Sequence, residues 1–357
     1  MSSFQPHIER ALSQKPVGSY RLLCGFDGFI DTIARPIRSI FADNTRQYFS
    51  HMGEWGRALV DQDGKSCSFE LDVQSCQRGG NAPIASHAAA MLGLDVDCIG
   101  MLGMPDIADV FRNTPGRLHS YAAPGDSLAL EFDDGKVFLA PSVATYSEPW
   151  ASIAQSLGET NVKTMVENAD LIAFLNWSEL PFSSALWQGV WEHALCLLPA
   201  DLHRHAFFDL CDVSRKSDAD IEAVLTLIGR IGEKRNCILS LNHNEAQYIC
   251  QHLLGENAIE GELGAALRAR FGVHQVVIHA ASWCQWQCDG ETAQIDVARI
   301  ARPKISTGAG DHFNAAICLA TLLDIPLKER LLFAASFAGR YISRGVTPTL
   351  ADMLGKE

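Results

Sequence analysis

The sequence predicts an α/β protein, a mostly parallel sheet covered by helices on both faces with a small β lid. Three observations predict it. From about residue 165 short apolar runs recur at 171–175 (LIAFL), 206–210 (AFFDL), 237–241 (CILSL) and 276–280 (VVIHA). Helical stretches at 183–196, 217–230 and, in two pieces, 244–270 separate them. Uniformly apolar strands that each lead into a helix mark a parallel sheet buried on both faces. The segments 68–73 and 128–140 alternate instead, which suits a sheet with one solvated face, so they form the lid.

The elements follow in order. Residues 4–14 read as a short helix, and Tyr20–Gly25 as a buried strand. Residues 32–77 are polar, carry Trp55, Gly53 and Gly56, and end in the alternating run Ser68–Val73, an exposed strand. Residues 81–92 form an Ala-rich helix with Asn81 as N-cap, Pro83 in the first turn and Gly93 as the stop. Val96–Gly100 is the next strand, and 127–140 a hairpin around Asp134-Gly135, a tight-turn pair. Two helices close the chain near 309–323 and 327–343. With no internal repeat or Gly/Ser linker, residues 1–357 make one domain, with lid segments at about 32–77 and 127–140 inserted in its first half.

Composition narrows the function. Of 357 residues 47% are hydrophobic and 20% charged, as in an ordinary soluble enzyme. The net charge of −13 argues against nucleic acid and anionic membrane surfaces as partners. A small anion stays compatible, because backbone N–H groups hold it whatever the total charge. The 11 cysteines contain no C-x-x-C, the N-terminus has no apolar leader, and no apolar run nears the roughly 20 residues of a membrane span. The reading is a reduced, cytoplasmic protein.

Four segments carry candidate chemistry. Ser306-Thr-Gly-Ala-Gly-Asp-His-Phe-Asn314 places small residues before an amphipathic run. N–H groups at such a helix start make an anion site, with Asp311 in the first turn. Alone, the segment reads more readily as a helix start with Asp311 as a capping acid. Arg78-Gly-Gly-Asn-Ala-Pro83 allows close backbone approach, and Asn81 offers a donor and an acceptor; a tight turn plus N-cap explains it as well. Cys24-Gly-Phe-Asp-Gly-Phe-Ile-Asp31 puts two carboxylates past a strand's carboxyl end, where open α/β sheets bind ligands; a solvated loop is the plain alternative. Asn242-His-Asn-Glu245 suits water-mediated magnesium or a capping box. No P-loop pattern exists, and a dinucleotide fingerprint would need its third glycine at Phe313.

The order and spacing of these four segments resemble the ribokinase-like (PfkB) carbohydrate kinase family over roughly residues 20–350. TGAGDHFNAA is similar to its second signature, and GGNAPIASHAAAMLGLDVDCIGMLG to its first. The resemblance implies a three-layer α/β/α domain with a β lid. It implies transfer of a phosphoryl group from ATP, with Mg²⁺, to a hydroxymethyl of a small sugar, sugar derivative or nucleoside. Asp311 would be the base and Gly308, Ala309 and Gly310 the anion hole. Asp31, with Asp27 as second candidate, and Gly79, Gly80 and Asn81 would bind the acceptor. Asn242 and Glu245 would organise phosphates and, through water, the magnesium ion, beside a nucleotide loop holding Ala281 and Ser282. Lid strands often pair between subunits in the family, which implies a homodimer.

The sequence also departs from the family. In D-T-x-G-A-G-D the first Asp is Ile305 and the Thr is Ser306, and Ile cannot ligand the monovalent cation of relatives. In the T-x-G-x-x-G loop the glycines are Ala281 and Cys284, and the Asn that flanks adenine falls near Ala335 or Ser336. These departures motivate two competing readings, a sugar- or nucleotide-binding sensor without turnover and a kinase with a different phosphoryl donor. The remaining motifs are plain. His279, Cys284 and Cys288 lack a fourth zinc ligand. Trp283 and Trp286 suit packing better than base stacking. Asn176-Trp-Ser178 carries no glycan in a cytoplasmic protein, and His203-Arg-His205 is a solvated turn.

Overall fold

The computed structural model describes residues 3–140, 148–255, 260–301, 303–305 and 307–356. Nine strands form the main sheet in the spatial order Glu291–Asp296, Trp283–Cys288, Gln275–His279, Asn236–Asn242, His205–Asp209, Leu171–Phe174, Arg21–Gly25, Asp95–Gly100 and Arg117–Ser120. Seven run parallel, and the first two form an antiparallel edge. Each predicted apolar run is a strand, within a residue or two at its ends.

Side-chain alternation divides the core into two layers. Leu23, Ile172, Phe174 and Phe208 face the helices Pro149–Leu157, Glu159–Asn168, Ser183–His193, Asp218–Gly232 and Leu263–Phe271. Leu22, Cys24, Ala173 and Phe207 face the helices Gln5–Gln14, Asn81–Met91, Ala309–Leu322 and Leu327–Arg344. Successive residues of a strand point to opposite faces, so a strand buried on both sides must be apolar throughout. That is why LIAFL and CILSL read as runs without alternation.

The lid is a separate five-stranded sheet: Phe29–Ile40, Arg46–Tyr48, Leu71–Gly79, Gly125–Phe132 and Gly135–Leu139. The long strand Phe29–Ile40 pairs antiparallel with Leu71–Gly79 and parallel with Gly125–Phe132. A small core of Ala34, Phe49, Leu130 and Phe132 supports it, with Trp55 and Phe69 packed on top. The lid thus begins at Phe29, earlier than 32, and its strand after the polar stretch is Leu71–Gly79 and not 68–73. That strand reads Gln-Ser-Cys-Gln-Arg over 74–78 with no apolar face, so its pairing with Phe29–Ile40 fixes it. It runs straight into Gly80 and the helix Asn81–Met91, which hinges the lid to the main domain.

Candidate active site

The carboxyl ends of the parallel strands and the underside of the lid enclose the residues singled out above. Asp27 is fully buried. Its Oδ1 accepts from the Ala82 N–H at 2.7 Å, and its Oδ2 from the Asn81 N–H at 2.8 Å and the Asn176 amide at 2.6 Å. These are the orphan donors of the helix Asn81–Met91, so Asp27 and not Asn81 caps that helix. Gly80 makes this possible: its φ is +87°, and a Cβ there would lie 2.7 Å from Asp27 Oδ2. Burial pushes the Asp27 carboxyl up to about 6 against those hydrogen bonds. Asn176, set aside in the sequence as part of an unused glycosylation pattern, is 2% exposed and holds this carboxylate.

Asp31 stands differently. It lies on the first lid strand, and a Cβ on Gly79 would fall 2.2 Å from its Oδ1, so the glycine makes room for the carboxylate. Burial raises its carboxyl, while Ser127 and the Lys136 ammonium pull it back down. The two aspartates proposed together as acceptor ligands are therefore separated: Asp27 is spent on the helix start, and Asp31 sits at the base of the lid.

Asn81 sends its amide to Cys211 Sγ at 3.0 Å. Cys211 has a left-handed φ of +57° and follows Asp209, at the end of the strand His205–Asp209. Asp209 accepts from the Cys211 N–H at 2.9 Å and from the Asn314 amide at 2.6 Å, and Asn314 in turn accepts from Ser240 at 2.8 Å. Sequence reasoning missed Asp209. The signal was present, because an acid ending a buried parallel strand is the same cue that singled out Asp31.

The helix Ala309–Leu322 starts after Gly308, whose φ is +81°. Gly308 packs under Ile84 and the Tyr341 hydroxyl, while a Cβ on Gly310 would meet nothing within 4 Å. Ala309 and Gly310 therefore turn the helix N-terminus toward open space, a groove of about 1330 Å³. Asp311 in the first turn is 7% exposed, and its Oδ1 has no hydrogen-bond partner. Burial first, then the charges of Asp209 and Asp27, raise its carboxyl well above the usual range. Of the residues around this loop, Ser306 lies outside the described ones.

Asn242 and Glu245 form a reciprocal capping box. Glu245 Oε2 accepts the Asn242 N–H at 2.9 Å, and Asn242 Oδ1 accepts the Glu245 N–H at 3.0 Å. Burial and the Asp209 charge push the Glu245 carboxyl up to about 9. Two neighbouring buried acids, both raised by burial and Glu245 further by the Asp209 charge, are a place where a divalent cation is favoured. Among the described residues no three His, Cys, Asp or Glu side chains converge to hold one directly. Magnesium fits here only through water and phosphate oxygens.

The same groove is lined by Asn242, His279, Ala281, Ala335, Ser336 and Arg340. Ser282 is not among them: the tight turn at 280–282 carries it to a separate hollow with Gln294 and Asp296. That turn leads into the antiparallel strand Trp283–Cys288, so the expected glycine loop is a short hairpin. Trp286 is wholly buried with its indole N–H on Gln275, and Cys284 is buried. His279 packs against Phe313, and burial lowers its imidazole to about 4.

A three-layer domain with a β lid and a Gly-Ala-Gly helix start beneath it defines a ribokinase-like carbohydrate kinase. The ribokinase of Thermotoga maritima has the same fold, with TM-score 0.64 and 13% identity over 94% of this chain and 98% of that one. So does an Arabidopsis thaliana ribokinase complexed with ribose and ATP, with TM-score 0.57 and 16% identity over 95% and 99%. Within that class the chain belongs to the prokaryotic ketohexokinase family, whose family model matches residues 6–355. A ketohexokinase of Haloferax volcanii is 25% identical over 338 residues, 93% of this chain and 89% of the relative.

Proposed function

We propose that the protein transfers the terminal phosphoryl of ATP, with Mg²⁺, to a hydroxymethyl group of a ketohexose. The single observation that carries this reading is the Asp311 carboxylate. It is buried in the first turn of the Gly308–Gly310 helix start with one oxygen unpartnered. In this reading Asp311 takes the proton of the attacking hydroxyl, and the N–H groups at 308–310 hold the transferring group. A base raised by burial accepts a proton more readily near neutral pH. Asp31, Gly79 and Asn81 bind the acceptor under the lid, and Asp27 supports them by holding the helix. Asn242 and Glu245 order the magnesium waters when the metal is bound. The groove floored by Ala335 and Ser336 takes the nucleotide base, and Arg340 lies on its wall. Because phosphoryl transfer is mostly positioning and charge stabilisation, these residues suffice without a covalent intermediate.

The test is product formation from a ketohexose panel (fructose, tagatose, sorbose, psicose) with Mg·ATP. Stoichiometric ADP and a ketohexose phosphate are expected. ATP consumption at background with every sugar would overturn the reading.

The departure at Ile305 fits a centre that needs no potassium ion. The Thr307 carbonyl accepts the Tyr341 hydroxyl at 2.9 Å. The Gly308 carbonyl accepts His312 Nδ1–H at 2.7 Å, and Lys304 N–H bonds the Ile342 carbonyl at 2.9 Å. Burial lowers His312 to about 4, so its ring is neutral and its Nε2 accepts from the Thr347 hydroxyl at 2.8 Å. Equal rates in sodium, potassium and tetramethylammonium chloride are expected, and strong activation by potassium alone would refute this.

The lid exposes Phe41, Val73 and Phe138, each more than half accessible. Such side chains on a two-sided lid support pairing between two copies. A dimer is expected by light scattering, and a Val73→Lys variant that shifts to monomer would locate its interface.

A further inference from the structure

Two adjacent parallel strands of the main sheet end in the same uncommon way. Asn176 follows Leu171–Phe174 and Cys211 follows His205–Asp209, and both have a left-handed backbone, with φ of +59° and +57°. Residues other than glycine seldom adopt it, and it persists where the surroundings hold a side chain in one direction. Both side chains return to the start of the helix Asn81–Met91. Asn176 holds Asp27, and Cys211 Sγ lies 3.0 Å from the Asn81 amide nitrogen. Burial first, then the charges of Asp209, Glu245, Asp311 and Asp27, raise the Cys211 thiol well above its ordinary value, so it keeps its proton. Burial raises the Asp209 carboxyl as well, and the Cys211 N–H and thiol, followed by the Asn314 and Asn81 amides, pull it back down. The thiol proton thus belongs to Asp209, and the sulfur lone pairs are left for Asn81. Both neighbours of the Asn81 amide on this side, the sulfur and the Asp209 carboxylate, are acceptors, so its nitrogen must face them. The Asn81 backbone is fixed as well, by its N–H on Asp27.

We propose that Cys211 is a positioning residue that fixes which end of the Asn81 amide reads the acceptor. With the nitrogen held by the sulfur, the carbonyl oxygen Oδ1 is the end turned to the sugar. The inference rests on the kinase reading above, in which Asn81 binds the acceptor. A carbonyl oxygen accepts and does not donate. The group opposite it must therefore be a hydroxyl that gives its proton. A fluorine or a carbonyl oxygen is rejected there, because two acceptors would meet with no hydrogen between them. An asparagine at a helix start is free to present either end of its amide. Cys211 removes that freedom before the sugar arrives, so the site is ordered in advance.

The test compares wild type with Cys211→Ala and Cys211→Ser in two arms. Neither substitution relaxes the left-handed backbone as glycine would. In the first arm, hydrogen exchange of the Asn81 side-chain amide is followed by NMR in nitrogen-labelled, ligand-free protein, beside Tm. Cys211→Ala is expected to speed that exchange about tenfold, and Cys211→Ser to restore it. In the second, calorimetry without nucleotide measures binding of fructose and of analogues in which one secondary hydroxyl at a time is replaced by hydrogen or by fluorine. At the position Asn81 reads, wild type is expected to bind the fluoro sugar about tenfold more weakly than fructose and no better than the deoxy sugar. Cys211→Ala is expected to bind fructose about tenfold more weakly and to lose the discrimination against fluorine, because its amide is free to turn. Cys211→Ser is expected to behave as wild type. Unchanged exchange in Cys211→Ala would overturn the proposal, as would a fructose affinity within about twofold of wild type. So would fluoro sugars that bind wild type as tightly as fructose at every position, a result that needs no variant to fold. If wild type binds no ketohexose while the exchange difference holds, the ketohexose reading fails and the orientation of the Asn81 amide stands.

Discussion

The two aspartates of the Cys24–Asp31 segment show how differently one residue type is used a few positions apart. Asp27 accepts three hydrogen bonds inside the protein, whereas Asp31 lies on the first lid strand, where Gly79 leaves room for its carboxylate. Asp27→Ala leaves the Asn81 and Ala82 N–H groups and the Asn176 amide without acceptors. A loss of about 3 kcal/mol or more in unfolding free energy is expected by denaturant titration. Asp31→Ala is expected to keep Tm and to raise the sugar KM instead. Gly79→Ala pushes a methyl into the Asp31 carboxylate and should mimic that KM effect. Asp311→Asn keeps the shape of the helix start and removes the proton acceptor. It is expected to retain sugar binding and lose roughly 10³-fold in kcat, and near-normal turnover would remove Asp311 as the base.

At the scale of elements, packing is set by a few obligatory contacts. Helix Asp218–Gly232 lies so close to the turn after helix Leu263–Phe271 that a Cβ on Gly229 would fall 1.7 Å from the Phe271 carbonyl oxygen. Gly229→Ala therefore forces the helix off the sheet, and a loss of about 1–3 kcal/mol is expected by thermal or denaturant unfolding with kcat unchanged. Helix Glu159–Asn168 ends on Arg235, which is 3% exposed and has no need of a carboxylate. Its guanidinium donates to the Val166 and Ala169 carbonyls, both at 2.7 Å. Those carbonyls are the negative end of the helix dipole, which is what a buried cation requires. The lid depends on pairing in the same way: Leu71–Gly79 is a strand because Phe29–Ile40 lies beside it.

At the scale of the molecule, the buried acids make stability depend on pH. The Asp27 carboxyl moves from its ordinary 3.8 to about 6, and Glu245 from 4.5 to about 9. Between the ordinary and the raised value the folded state holds more protons than the unfolded state, so stability falls as pH rises. The contribution of Asp27 is complete below about 3.8 and lost by about 6, and that of Glu245 is lost between 4.5 and about 9. The Tm of the ligand-free protein is expected to decline from pH 5 to pH 9. Glu245→Gln, which stays neutral throughout, should flatten the upper part of that decline, and Mg·ADP should oppose it by favouring the charged carboxylates. A Tm that rises over the same range in the ligand-free protein would refute the assignment. Among the described residues no helix is long and apolar enough to cross a membrane.

The sequence by itself determined the layered fold and the order of the site. Apolar runs in a doubly covered sheet need no tertiary information, because burial on both faces forbids polar residues in either phase. Gly308–Asp311 and Gly79–Asn81 could be singled out only through their order and spacing along the chain, because each alone reads equally as a helix start. The tertiary structure alone decided which polar groups were already engaged. Asp27 became a cap, Asn176 its support and Asn242–Glu245 a closed box, because hydrogen-bond partners distant in sequence meet only on folding. Asp209 was hidden for the same reason: an acid at a strand end acquires meaning only from what stands opposite it, and here that is the Asn314 amide on the helix Ala309–Leu322.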